Sequence, residues 1–233
     1  MSKKDYYIVE KNVSKIKRQE HTNFLDYQTR IKACQKLKGY NYQIYYPFQD
    51  SEKTIIYVDN IPQVSLLEII SPEKLFHKDI MGSLYNLNIA SEMFGDIIIT
   101  NNHYYFLTMP SVVNIIMNEY KKVGNNNIKI KPQNIKVLDN YHRQYQEITL
   151  IVSSLRIDNV ISRLIGTSRK NIKENFFDDD IILNYEVCHK LNHNLSNNDI
   201  FSIKKNGKYK FGEIIGKSKK GNYIVKCYKY IDN

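Results

Sequence analysis

Apolar positions along this chain switch repeatedly between helical and strand spacing, so the pattern predicts a mixed α+β protein. The first twenty residues carry charges of both signs and little periodicity; they fit an exposed helix or a loose arm. A clearer helix follows Phe24-Leu25-Asp26. Asp26 is placed to cap it, Tyr27, Ile31, Cys34 and Leu37 recur at helical spacing, and Gly39 closes it. Strand-like runs over Tyr42 to Tyr46 and Thr54 to Val58 flank the turn region Gln49-Asp50-Ser51. Residues 1–61 are therefore expected to form a small N-terminal α+β unit.

The next stretch has an informative order. Val64 to Ile70 is strand-like, and Ser71-Pro72-Glu73 signals a helix start, with proline at the first position of a helix running toward Leu87. Asp96 to Thr100 and Tyr104 to Met109 pattern as strands around a tight turn at Asn101-Asn102. A helix from Pro110 to Tyr120, ending near Gly124, and a short strand over Ile128 to Ile130 complete a β-α-β-β-α-β series. That series predicts a ferredoxin-like domain over residues 62–150, an arrangement shared by RNA-recognition domains. On its third strand Tyr104 and Phe106 share one face, which serves either base stacking or core packing. Residues 132–153 read as a bridge. Within it the strand Ile148 to Val152 either closes the middle domain or opens the last one.

From Leu155 the spacing predicts two short helices, a turn and a strand. Ile157, Val160, Ile161 and Leu164 make one apolar helix face, with Arg156 and Arg163 on another. Gly166 ends that helix and Ser168 is placed to cap the next. There Ile172 and Phe176 point to the core, while Arg169 and Lys173 project together one turn apart. Two readings fit this spacing: a cationic face that holds a phosphate backbone, or a solvated helical hairpin. After Asn184 the chain patterns as small strands. Asp199 to Lys205 is one, and Lys208 to Ile215 with Tyr223 to Tyr230 form a hairpin across Lys219-Lys220-Gly221-Asn222. From Phe201 onward nine lysines, including Lys204, Lys208 and Lys210, face only Glu213 and Asp232, with aromatic residues between them. Lysines on edge strands also discourage sheet-to-sheet pairing, so an RNA-facing extension and a protected edge both fit. Residues 154–233 form the expected C-terminal domain.

Charge sharpens the picture. The 233 residues carry a net charge of +10, and their 42% hydrophobic content allows a substantial core. A basic chain of this kind suits nucleic acid or another anionic partner, although a bias toward Lys, Asn and Ile raises the charge by itself. The cysteines at 34, 188 and 227 have neither metal-ligand spacing nor the numbers of a disulfide framework, which fits a reducing cytoplasm. The N-terminal run has no apolar core of a signal peptide, and no apolar run reaches membrane-spanning length.

Catalytic chemistry finds little support. His77-Lys78-Asp79 fits a helix start with local polar contacts, and His189 and His193 have no third ligand beside them. Asp178-Asp179-Asp180 lacks calcium-loop spacing, and neither a nucleophile elbow nor a phosphate-cradling glycine loop occurs. The expectation is a non-enzymatic protein with no cofactor and no metal. An RNA-modifying enzyme with an unrecognised N-terminal catalytic domain, or a cell-division interaction protein, are the alternatives.

Two resemblances bear on these choices. Arg156-Ile157-Asp158, Ser168-Arg169 and an apolar-x-apolar-Asn run ending at Asn184 resemble the RNA-binding motif named after small-subunit ribosomal protein S-four, the αL motif. The family glycine is Asp179 here, inside the acidic run, so carboxylates stand beside the expected phosphate site. More widely, Phe24-Leu25-Asp26, His77-Lys78-Asp79 with Gly82, Phe94-Gly95-Asp96-Ile97-Ile98 and the Arg156 block occur in one order. Together they resemble the YlmH family of bacterial RNA-binding proteins over nearly the whole chain. Tyr27, Ser91 and Asn171 depart from the family pattern. The resemblance implies an N-terminal unit, an RNA-recognition-like middle domain and a C-terminal αL domain with a β-hairpin extension. The chain is expected to be cytoplasmic and monomeric, and the resemblance further implies a protein that binds rRNA and tRNA on the large ribosomal subunit. There it is expected to hold peptidyl-tRNA while a stalled nascent chain receives a C-terminal tail. The family is also linked to cell division. Taking the motif, the cationic helix face and the lysine-rich strands together, the expected RNA-binding residues are Arg156, Arg163, Ser168, Arg169, Lys170, Lys173, Asn184, Lys204, Lys208 and Lys210.

Overall fold

The weakly patterned start of the chain folds as helix α1, Lys3–Lys17, because Val9, Val13 and Ile16 share one side and are buried. These observations come from a computed structural model that describes residues 3–100, 103–175 and 180–231, with the backbone alone for residues 3–5, 173 and 175. The turn expected at Asn101-Asn102 lies outside the described residues. Helix α2, Tyr27–Lys36, begins as its sequence dictates: the Asp26 carboxylate accepts the Thr29 backbone N–H at 2.8 Å. Strands β1, Gln43–Tyr45, and β2, Ile55–Tyr57, pair antiparallel. Leu25, Ala33, Leu37 and Ile56 pack with the apolar side of α1.

The chain then runs through β3, Ser65–Ile70; α3, His77–Tyr85; β4, Phe94–Thr100; β5, His103–Thr108; and α4, Val113–Glu119. A small hairpin of β6, Lys122–Val123, and β7, Asn126–Asn127, leads to β8, Lys129–Gln133. The sheet order is β4-β5-β3-β8, with every neighbouring pair antiparallel. Each long strand buries residues on both faces. Leu67, Ile69, Tyr104 and Phe106 pack against Ile80 and Leu84 of α3 and Ile116 of α4. On the opposite face Leu66, Ile98, Tyr105 and Leu107 are covered by Phe24, Phe48 and Ile55 from the N-terminal segment, with Met109 and Leu138.

That second layer corrects the expected division at residue 61. Residues 1–142 form one compact unit, because the N-terminal segment supplies the apolar cover of the middle sheet. The Phe-Leu-Asp and Gly-Asp-Ile segments meet at this junction. A Cβ added at Gly95 would fall 2.7 Å from both Phe24 Cε1 and Leu107 Cβ, so only glycine lets the Phe24 ring lie against β4. Asp96 is buried next to it; one carboxylate oxygen accepts from Ser51 Oγ at 2.7 Å and from the Glu52 and Lys53 backbone N–H groups at 3.1 Å each.

The helix expected from Pro72 begins only at His77. Ser71 Oγ accepts the Glu73 N–H at 3.2 Å in a local turn, and Leu75 N–H donates to the Tyr104 hydroxyl at 3.1 Å. A Ser-Pro pair signals such a turn as readily as a helix start. His77 is the first helical residue, Phe76 occupies the capping position, and no side chain caps the helix.

The second unit spans Arg143–Ile231. It contains β9, Tyr145–Val152; α5, Ile157–Leu164; α6, Arg169–Asn175; β10, Ile181–Leu183; β11, Glu186–Val187; β12, Ile200–Ile203; β13, Gly207–Lys217; and β14, Tyr223–Tyr230. Its sheet order is β11-β10-β12-β13-β14-β9. Strand β9 pairs with β14 from Val152↔Tyr223 to Tyr145↔Tyr230. The bridge strand thus belongs to the C-terminal sheet, which moves the boundary expected at residue 150 back to His142/Arg143. The core of this unit joins Ile157, Val160, Ile161 and Ile172 of the helix pair to Val152, Phe201, Phe211, Val225 and Cys227 of the sheet.

Candidate nucleic-acid interface

Helix α5 is buried over most of its surface, with Asp158, Asn159 and Ser162 among the buried residues. Ile157, Val160 and Ile161 are fully buried, whereas Arg163 is exposed. Its capping residue, Arg156, has extended backbone geometry, and the Ile157 and Asp158 N–H groups are satisfied by the His193 and Leu191 carbonyls at 2.8 and 3.1 Å. The loop over residues 188–195 thereby fixes the start of the helix. Gly166 has a φ of +68°, the left-handed conformation that stops the helix and turns the chain. Ser168 then caps α6: its Oγ accepts the Asn171 N–H at 3.1 Å.

The charged groups meet at Asp158. Its side chain is fully buried, and its Oδ2 accepts from Arg156 Nη2 at 2.8 Å and from Arg169 Nη2 at 3.3 Å. Arg156 Nε also donates to Oδ1 at 3.2 Å. One carboxylate thus gathers a guanidinium from the cap of α5 and another from the start of α6. Burial alone would raise the Asp158 pKa, but the Arg156 hydrogen bond and the Arg169 charge outweigh it and hold the carboxyl below its ordinary value. Both arginines keep solvent access, at 32% and 42% of the side chain. The group carries two positive charges against one negative and presents planar donors at fixed spacing, which suits phosphate oxygens.

Other residues singled out by sequence are placed around this centre and beyond it. Ser168 and Lys170 are exposed on α6, where Lys170 lies 3.7 Å from Glu174. Lys173 falls on α6 with its side chain outside the described atoms, and Phe176, Asp178 and Asp179 lie outside the described residues. Asp180 is described, and its carboxylate pairs with Lys204 Nζ at 2.7 Å. Lys204 therefore offsets part of the acidic run. Asn184 adopts a φ of +48°, donates through Nδ2 to Asp199 at 2.9 Å and accepts the Ile200 N–H at 2.9 Å. These bonds join β10 to β12, so the amide works within the fold.

The lysines and aromatic residues of the hairpin separate by face. Tyr209, Phe211 and Cys227 point into the core. Lys208, Lys210, Tyr228 and Tyr230 alternate with them on the other side of the sheet. Lys208 Nζ lies 4.8 Å from the Tyr185 ring centre and 4.9 Å from that of Tyr230. Tyr145 packs edge-on against both Tyr228 and Tyr230, at centroid distances of 6.2 and 5.0 Å. Sequence reasoning missed Asp158 as the organiser of the arginines, and missed Tyr145 and Tyr185 as partners of the hairpin. The charge spacing Arg-x-Asp was the available signal for the first. The tyrosines had none, since their pairing depends on distant strands.

The middle sheet offers no such surface among its described residues: Tyr104, Tyr105 and Phe106 are all buried. Among the described residues no cluster of three His, Cys, Asp or Glu side chains stands ready for a metal, and no helix is long and apolar enough to cross a membrane.

Comparison with known proteins adds to this. Residues 62–137 match the family described as "Putative RNA-binding domain in YlmH". The cell division protein ylmH from Streptococcus pneumoniae has a similar solved structure, with a TM-score of 0.50 at 17% identity, covering 60% of this chain and 97% of that one. At that identity the likeness speaks for the fold. No curated protein matches the sequence. The middle segment therefore makes this a protein with an RNA-binding domain. Over those residues the chain is similar to the YlmH family.

Proposed function

We propose that this chain is a non-enzymatic RNA-binding factor whose C-terminal unit is an αL domain of the ribosomal-protein-S-four type. The observation that carries the proposal is the buried Asp158 carboxylate, which holds Arg156 and Arg169 together between two helices. A solvated hairpin needs no buried charge to arrange its arginines. A surface that reads a phosphate backbone gains from it, because guanidinium groups fixed before binding lose less freedom on contact. The β-α-β-β-α-β order of the middle segment supports a ferredoxin-like reading, with its sheet faces used for packing.

The partner we assign is rRNA and tRNA on the large ribosomal subunit during rescue of stalled translation, with peptidyl-tRNA held during C-terminal tailing. The match of residues 62–137 to the RNA-binding domain in YlmH and the net charge of +10 support that assignment. Three measurements test these readings. Titration of RNA affinity against salt is expected to give a steep slope that flattens by about 1.5 in Arg156→Ala with Arg169→Ala, since each phosphate contact adds roughly 0.7–0.9. An unchanged slope in the folded double variant overturns the helix-pair face. Sedimentation of lysates under translational stalling is expected to place the protein with large subunits. Its absence from those fractions overturns the ribosomal assignment and favours the cell-division role in the streptococcal protein's name. Modified nucleosides in RNA incubated with the protein would overturn the non-enzymatic reading.

A further inference from the structure

A recess lies in the C-terminal unit, on the sheet face that α5 and α6 leave uncovered. It has a volume of 340 Å³, within the range of small-molecule clefts, roughly 300–1,000 Å³. Its aromatic walls are Tyr145 of β9 and Tyr228 of β14, whose rings meet at 67° with centroids 6.2 Å apart. Gly212 of β13 also lines it. A Cβ there would fall 2.6 Å from Tyr228 Cε2 and 2.9 Å from the Lys226 carbonyl oxygen, so glycine lets the Tyr228 ring lie close over the strand. The bulged pairing of β13 with β14 just beyond Phe211 bends the sheet at this point.

The polar groups of the recess are of mixed kind. Lys210 pairs across the sheet with Tyr228 and supplies the cation. Asn197 and Asn198 line the rim from the loop before β12, and both are exposed. Asn198 is held there in a left-handed conformation, φ +72°, by its N–H bond to the Phe211 carbonyl at 2.8 Å. Glu213 adds an acceptor at the mouth. Aromatic walls, side-chain amides, one acceptor carboxylate and one lysine together match the needs of a single flat heterocycle joined to a phosphate. The walls stack the ring, the amides and carboxylate meet its polar edge, and the lysine meets the phosphate. A duplex keeps its bases stacked inside and cannot fill such a recess.

We propose that this recess binds one unstacked base of single-stranded RNA, and so acts as a second contact beside the helix pair. The proposal rests on the RNA-binding reading given above. It divides the labour of the C-terminal unit: the arginines gathered on Asp158 grip paired backbone, and the tyrosine recess takes a base from an adjoining loop or end.

The test uses the full chain and two synthetic RNAs: a hairpin with 2-aminopurine in its loop, and a fully paired duplex of the same stem. The wild-type protein is expected to bind the hairpin more tightly and to quench its 2-aminopurine fluorescence. Tyr228→Leu is expected to weaken hairpin binding about tenfold and abolish the quenching, while duplex affinity stays at the wild-type level. Tyr145→Leu, on the edge strand, is expected to behave alike and serves as the second variant should Tyr228→Leu lose its fold by circular dichroism. Arg156→Ala with Arg169→Ala is expected to weaken both RNAs. Wild-type hairpin affinity and quenching in the tyrosine variants, or an equal loss on both RNAs, overturns the recess and leaves the helix-pair reading standing. A wild-type chain that binds neither RNA overturns both.

Discussion

Arg169 Nη2, at the start of α6, lies 3.3 Å from Asp158 Oδ2, on the buried side of α5. This ion pair crosses the turn at Gly166 and ties the two helices together by charge, where Ile161 and Ile172 tie them by packing. Asp158 also holds Arg156, so its loss releases two guanidinium groups at once. Asp158→Asn keeps the shape and removes the charge. The variant is expected to lose about 1–2 kcal/mol of stability, less than for a fully buried pair because both arginines can rehydrate. Thermal unfolding of the two proteins at neutral pH checks this.

The same carboxylate gives a pH dependence with a definite sign. Its folded-state pKa lies below the ordinary aspartate value of about 3.9. The folded state therefore binds the proton less readily than the unfolded chain. The stabilisation is complete above that value and is lost as pH falls through the lowered folded pKa. The stability gap between wild type and Asp158→Asn should be constant from about pH 5 to pH 8 and shrink below about pH 4. A gap that widens in acid would mean that Asp158 is not the charged partner.

Gly95 and Phe24 give a prediction about the other unit. A methyl group at residue 95 would stand 2.7 Å from the Phe24 ring and from Leu107 Cβ, both side chains of a filled core. Neither can move freely. Gly95→Ala is expected to cost about 1–3 kcal/mol through overpacking. Pairing it with Phe24→Leu should recover part of that loss, which a double-mutant cycle in urea measures.

How much of this was legible in the sequence depends on how local the cause was. The helix over residues 157–164, its glycine stop and the Ser168 cap follow from neighbours within a few positions, and the hairpin of β13 and β14 follows from alternation around a Lys-Gly-Asn turn. The start of α3 was misread because Ser71-Pro72 carries the signals of both a helix start and a local turn, and the pull of Tyr104 on Leu75 comes from 29 residues away. The placement of β9 depended on eight pairings with the end of the chain. Asp158 was visible as part of a motif, but an acidic residue in a first helical turn ordinarily faces water, and nothing nearby announces its burial. The tyrosine recess is illegible for the same reason: Tyr145, Asn197 and Tyr228 converge only once the sheet is assembled.

Asn184 separates a structural role from a contact role. Its left-handed backbone and its bonds to Asp199 and Ile200 hold β10 against β12. Asn184→Ala loses both bonds and adds strain at positive φ, for an expected cost of about 2–3 kcal/mol. Asn184→Gly loses the bonds without the strain and should fall between the two. If the asparagine acts through the fold, both variants will keep wild-type RNA affinity at a temperature where they remain folded. Weakened binding by a folded Asn184→Gly would assign the amide a direct contact.

The apolar face of the middle sheet yields the last prediction. Leu66, Ile98, Tyr105 and Leu107 are each less than a tenth exposed because Phe24, Phe48 and Ile55 lie over them. Deleting residues 1–61 would uncover all four in one contiguous patch on a four-stranded sheet. A patch of that kind drives self-association. The shortened chain is expected to bind a hydrophobic dye and to form oligomers, whereas the full chain does neither, as light scattering and dye fluorescence would record. The same deletion would bare the surface that RNA-recognition domains use for stacking. Gain of RNA affinity by a monomeric shortened chain would show that the N-terminal segment masks a binding face. Oligomers without added affinity would show that it completes a core, which is the outcome expected from the packing of Phe24 on Gly95.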